Sequence, residues 1–251
     1  MRRPHPVRAL LVAASLVSVL GTSACGKDVL APGEPGISVL FIGNAYTAWY
    51  DLPGVVEALL DSVSPRPSHV DREIMAGLPL SDHWFLGVGQ EWINKGGWDY
   101  VLLQQGPSIT GGRASLVEYS KRFADVIRAV GAEPGLWQVW PVPDSTPTFD
   151  AIRASYQSAA DSAGAFMIPA ADTWQEAWKL DPSLPFYESD HVTPTPLGIW
   201  ALGVTIASYL GHKDPEVFPD SVSTTRGIVI AVDQSSATLA KSAAAKVLGL
   251  R

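Results

Sequence analysis

Ser38-Val39-Leu40-Phe41-Ile42-Gly43-Asn44-Ala45-Tyr46-Thr47 is the stretch on which the reading of this chain turns. Five residues run without a polar break from Val39 into a glycine, as in a strand buried on both faces, and buried on both faces is what a parallel sheet covered by helices requires. Outward from it, further β-branched or aromatic runs stand at Val70 to Ile74, Tyr100 to Leu103, Leu136 to Trp140 and Phe166 to Ile168. Between and after them lie helical patterns at Val55 to Val63, Ser115 to Val130, Phe149 to Ala163, Thr195 to Leu210 and Ser235 to Leu248. In the second of these Leu116, Tyr119, Phe123, Val126, Ile127 and Val130 recur at spacings of three and four, and Gly131 follows as a C-cap would. Strands alternating with helices predict an α/β domain with five parallel strands. Ligands of such sheets sit beyond the carboxyl ends of the strands, which directs attention to 43–51, 76–84, 104–113, 141–148 and 186–198.

Composition bounds what those segments can do. The chain has 251 residues, 47% of them apolar and 17% charged, enough apolar material for one folded domain and too much for a disordered chain. A formal charge of −7 offers no phosphate-neutralising surface, so nucleic acid is not expected as a partner. The single cysteine, Cys25, cannot form an internal disulfide, no Cys/His spacing suits a structural metal, and no glycine-rich fingerprint suits a dinucleotide; no metal or cofactor is expected.

The N-terminus has a different grammar. Arg2, Arg3 and Arg8 precede an apolar run from Ala9 to Leu20 and small residues Gly21 to Ala24, the form of a secretory signal. The run is about 12 residues, well short of the roughly 20 that span a bilayer as a helix. Cys25 directly after small residues resembles the bacterial lipoprotein box, which predicts a signal peptide over 1–24, a lipidated Cys25, a Pro- and Gly-rich tether over 25–36, and a domain over 37–251. Three of the 18 basic side chains lie in that leader, so the remainder carries 15 against 25 acidic ones, a net charge of −10. The expected location is a bacterial cell envelope, with membrane contact through the lipid anchor only.

Four blocks carry a resemblance. Phe41-Ile42-Gly43-Asn44-Ala45-Tyr46-Thr47 resembles the first block of the SGNH/GDSL hydrolases, in one branch a strand followed by Gly-Asn-Ser-Tyr/Phe-Thr. Ala76-Gly77-Leu78-Pro79-Leu80 with His83-Trp84 is similar to the second, and Trp98 to Gln105 to the third. Tyr187-Glu188-Ser189-Asp190-His191-Val192-Thr193-Pro194, with Gly198 soon after, is similar to the last, usually Asp-x-x-His-Pro. The blocks occur in order and cover Ile37 to about Leu210. The resemblance implies a flavodoxin-like three-layer α/β/α sandwich and ester hydrolysis. In that chemistry a hydroxyl attacks the carbonyl, an imidazole takes the proton, a carboxylate orients the imidazole, and fixed N–H donors hold the oxyanion.

Mapped residue by residue, the nucleophile position holds Ala45 and the base position Thr193, so two of the three catalytic roles are vacant while the carboxylate Asp190 remains. The resemblance assigns the oxyanion site to Gly77, the Ala45 N–H and the amide of Gln104 or Gln105, with Asn44 beside them. Losing nucleophile or base alone costs a triad roughly 10⁶ in turnover and losing the rest little more, which accounts for both being absent together. The expectation is an esterase homologue without useful turnover that binds an ester, acyl or acylated-carbohydrate ligand. The alternatives are an active ester hydrolase recruiting His191 and a hydroxyl outside the usual block, with Thr47, Ser81 and Ser108 the nearest spare hydroxyls, and a structural envelope protein. Thr47 reads as a local loop bond and Ser81 as the cap of a short helix near Asp82. His83 with Trp84 reads as packing sooner than as a sugar-binding edge. Trp49, Trp84, Trp140 and Trp174 fall in or near the strand-end loops and could floor a ligand.

Overall fold

The computed structural model describes residues 36–109, 111–142 and 148–250. The signal, Cys25 and all but the last residue of the tether lie outside the described residues. Among the described residues no helix is long and apolar enough to cross a membrane.

Five parallel strands form the sheet: β1 (Ser38–Gly43), β2 (His69–Ile74), β3 (Tyr100–Leu103), β4 (Glu133–Trp137) and β5 (Phe166–Ile168), in the order β2-β1-β3-β4-β5. All six residues of β1 are buried, because β1 is flanked on both edges, by β2 (Phe41 opposite Arg72) and by β3 (Phe41 opposite Leu102). The chain steps from β1 outward to β2 and then back across to β3, so the order reverses at β1. In open α/β sheets ligands bind at such a reversal, beyond the carboxyl ends of the strands, which here is the place beyond Gly43.

Right-handed crossovers then dictate which helices share a face. α3 (Leu80–Phe85), α4 (Val88–Asn94), α5 (Gly111–Ala129) and α6 (Phe149–Ala163) pack on one another as one layer. α2 (Leu52–Val63), α7 (Asp172–Leu180), α8 (Pro196–Gly211) and α9 (Gln234–Val247) form the other. A four-residue helix, α1 (Ala45–Ala48), caps the end of β1, and a two-stranded antiparallel ribbon, β6 (Ser221–Ser223) and β7 (Val229–Ala231), precedes α9. α8 is apolar nearly all round and buried along its length; Thr195 starts it by accepting from the Gly198 N–H at 3.1 Å, and Pro196 sits where its missing N–H is not needed. One core runs through both layers, including Phe123 and Leu116 of α5 and Trp200 and Ile206 of α8.

The predicted strand over Leu136 to Trp140 is corrected to Glu133–Trp137. Pro134 and Gly135 read as strand breakers, yet both are accommodated. The Glu133 N–H donates to Asp99 of the β3 side, so by alternation the donor missing at Pro134 would point toward β5, which begins to pair only at Gly135. At Gly135 the ring of Phe166 lies 2.3 Å from where a Cβ would stand, so this register admits only glycine. Beyond Trp137 the strand ends with β5, whose last pair is Trp137 with Ile168.

Candidate active site

Gly43 delivers the chain to that place, and Asn44, extended at φ −124°, N-caps α1. The Asn44 side chain does three jobs at once. Its Oδ1 accepts from the Tyr46 N–H at 3.2 Å and from Gln104 Nε2 at 3.0 Å, and its Nδ2 donates to the Leu78 carbonyl at 3.3 Å. Gln104, at the end of β3, returns the contact: its Oε1 accepts from the Asn44 N–H at 2.9 Å and from the Thr47 hydroxyl at 2.8 Å. A Cβ on Gly43 would stand 2.4 Å from that same Oε1, so the close seat of Gln104 requires glycine there. Three segments distant in sequence, Gly43–Thr47, Leu78 and Gln104, are thereby locked around the position of Ala45.

Two backbone donors open onto this place. Within the described residues the N–H groups of Ala45 and of Gly77 are taken up by no hydrogen bond, the first because it opens a helix and the second because it sits on an exposed turn at φ +75°. The Asn44–Leu78 bond holds the Gly77 turn against the start of α1, bringing the two donors into one neighbourhood. Unpaired N–H groups at a helix start suit a partial negative charge.

Gln104 and Gln105 part company. Gln105 Oε1 accepts from the Leu80 N–H at 3.1 Å, and its Nε2 donates to Ser108 Oγ at 2.9 Å and to the Gly112 carbonyl at 3.3 Å. It braces α3 to the start of α5, and Gln104 is the amide that belongs to the Asn44 cluster. Ser108 is likewise spent, donating to the Gly106 carbonyl. Thr47 does not make the local loop bond expected of it; its hydroxyl instead reaches across to Gln104, 57 residues away, because the end of β3 lies beside the start of α1. Ser81 does not cap: Pro79 occupies the cap position of α3 and Ser81 lies inside the helix.

The last block forms a small hairpin, Tyr187 bridging Pro194 and the Glu188 N–H donating to Thr193 O at 2.8 Å. At its tip Asp190 Oδ1 accepts from the N–H groups of Val192 and Thr193, and Oδ2 from the Thr193 hydroxyl at 2.6 Å. These donors, the hydroxyl foremost, hold the Asp190 carboxyl below its ordinary range. The Thr193 hydroxyl thus occupies one oxygen of the Asp190 carboxylate. His191, in left-handed backbone at φ 55°, is exposed, and within the described residues no hydrogen bond joins its ring to a hydroxyl. The Tyr50 hydroxyl meets Glu188 Oε1 at 3.4 Å and ties this hairpin to the segment after α1.

Aromatics pack beneath the start of α1. The Tyr46 ring lies 4.7 Å from Trp140, and Trp140 lies 5.1 Å from Trp174. Burial pushes the Tyr46 hydroxyl up to about 12, so it stays protonated at neutral pH and is a poor nucleophile. Tyr156 donates to the Gln105 carbonyl and Tyr187 to that of Pro141, burial raising both hydroxyls. Trp140 and Trp174 are buried and serve the core; Trp84 packs edge-on against Phe123. Of the four tryptophans singled out in the sequence only Trp49, 39% exposed, offers a free face.

His83 holds the backbone beneath the site. It is fully buried, and its Nε2 stands 3.1 Å from the Gly43 carbonyl. A carbonyl only accepts, so Nε2 carries the proton and Nδ1 is bare. The ring therefore pins the residue from which Asn44 and Ala45 project. Burial holds its pKa below 6.5, against smaller opposing effects from the Gly43 hydrogen bond and Asp82.

The arrangement resembles solved structures. A DUF4886 family protein from Bacteroides uniformis superposes with a TM-score of 0.68 at 16% identity, over 84% of this chain and 94% of the other. A protein assigned to the SGNH hydrolases from Slackia heliotrinireducens gives 0.58 at 19%, over 68% and 97%. A lipase/acylhydrolase from Enterococcus faecalis gives 0.56 at 16%, over 72% and 98%. No family model matches the sequence, and no curated protein matches it. The strand order and these likenesses together show that the chain has the fold of the SGNH hydrolases.

Proposed function

We propose that this chain is an SGNH/GDSL-type hydrolase homologue that has kept the oxyanion receptor and lost the attacking chemistry, and that it binds an ester, acyl or acylated-saccharide ligand without turning it over. The reading is supported above all by the start of α1: Ala45 has no heteroatom to attack with, while its N–H remains unpaired beside the Gly77 turn. Thr193, bound to Asp190, cannot accept a proton near neutral pH. Secretion and lipid anchoring through Cys25 belong to the same proposal and place the ligand outside the cytoplasm.

The test restores what is missing. Ala45→Ser with Thr193→His is expected to raise p-nitrophenyl acetate hydrolysis well above a buffer blank, while either change alone stays near the blank, because nucleophile and base act as a unit. Measurable turnover by the unaltered chain that disappears in His191→Ala would overturn the proposal in favour of an active enzyme. An inert double variant would show that the receptor is gone as well.

A further inference from the structure

A cavity of about 400 Å³ lies between the segment after α1, the end of β2 and the turn joining β6 to β7. Ala48, Tyr50, Asp51, Arg72, Arg226 and Ile228 are among its walls. Two guanidiniums reach it from different elements, Arg72 from β2 and Arg226 from the exposed turn. Arg72 is nine-tenths buried and ion-paired with Asp51, and its Nε has no hydrogen-bond partner. Arg226 stands near enough for its charge to act against that of Arg72, and among the described residues no carboxylate forms an ion pair with it.

Among the lining residues two positive charges stand against one negative, an excess of a single positive charge in a chain whose formal charge is −7. Arg72 is buried and Arg226 exposed, and an anion bound by both relieves the repulsion between them. The backbone here is also unusual. Tyr50 and Asp51, neither of them glycine, are consecutive left-handed residues at φ 44° and 57°, a conformation that persists only where the surroundings fix it. That turn brings both residues to the cavity wall.

We infer that this cavity is a binding site for the carboxylate of an acidic sugar, the forked guanidiniums of Arg72 and Arg226 taking the anion while Tyr50 and the apolar side chains of Ala48 and Ile228 face the ring. A planar carboxylate matches the guanidinium fork. A monoanion balances the single excess charge of the lining residues, whereas a phosphate dianion would exceed it beside Asp51. Ala48 lies three residues, under one helical turn, beyond Ala45, so a sugar held here adjoins the candidate active site. The inference goes beyond the proposed function and stands without it, since a free uronic acid carries no ester.

The experiment is a titration of the whole chain at low salt with D-glucuronate, D-glucose and inorganic phosphate, followed by calorimetry and by NMR into the millimolar range. Glucuronate is expected to bind, glucose not to bind, and phosphate to bind more weakly than glucuronate. Arg226→Gln is expected to weaken glucuronate at least ten-fold and Arg226→Lys less. Arg226 carries the test because Arg72→Gln would strand the buried Asp51 and endanger folding. Absence of glucuronate binding, equal binding of glucose, tighter binding of phosphate, or an unchanged affinity in Arg226→Gln would each overturn the inference. None of these outcomes depends on whether the strand-end site binds esters.

Discussion

His83 shows how much one side chain can decide at this site. Its neutral ring donates to Gly43, and protonating Nδ1 would put a charge into a fully buried place whose nearest carboxylate, Glu73, is 3.7 Å away and is itself pushed toward its neutral form by burial. The sign of the linkage follows. With the folded pKa below 6.5, the unfolded chain binds the proton first as pH falls, so stability is flat above about pH 6.5 and declines below it toward the folded pKa. Denaturant midpoints measured from pH 7.5 to 5 are expected to show that decline, and His83→Gln, whose amide can still donate to Gly43, is expected to flatten it. An identical slope in the variant would mean that another group titrates in the window. The choice between Gln104 and Gln105 belongs to the same scale. Neighbours on an extended segment face opposite ways, so the sequence promised one amide in the site and one outside it. Only the seat left open by Gly43 decided for Gln104.

At the scale of elements, β1, β3 and α5 were legible because each carries its own period: unbroken apolar runs for β1 and β3 and three-four spacing for α5. What was not legible depends on partners. β4 begins at Glu133 because β3 is there to pair with it, through a proline and a glycine that local rules would exclude. α7, with Trp174 and Ala177 turned inward, and the short β6–β7 ribbon take their order from packing against α8 and α9. The cavity between Arg72 and Arg226 is the extreme case, since its two arginines come from distant parts of the chain that only the fold brings together. Gly135 makes the point measurable. Gly135→Ala would set a methyl 2.3 Å from the half-buried Phe166 ring and 2.8 Å from Cδ2 of the fully buried Leu102. Overpacking of this kind costs about 1–3 kcal/mol, and chemical denaturation should register it as a lower midpoint at unchanged slope. A neutral effect would mean that β5 can move away from β4 at little cost.

For the whole molecule the question is whether two helical layers on one sheet behave as one body or two. The strands are short, three to six residues, and buried β1 contributes to both faces, so neither layer has a core of its own. Phe123 on α5 and Trp200 on α8 are both fully buried and belong to the same continuous core on opposite sides of the sheet. Truncating either to alanine removes a large side chain from close packing and is expected to cost about 3–5 kcal/mol. If the layers form one cooperative unit, each substitution lowers the same single transition, followed alike by tryptophan fluorescence and far-UV circular dichroism, and the two losses add because the sites share no partner. If the layers are separable, Phe123→Ala would split the melt into two steps, one near the original midpoint. Coincident transitions would tie the site to the full stability of the fold, since the Asn44–Gln104 lock joins β1 to β3 at the sheet's centre and cannot open without them.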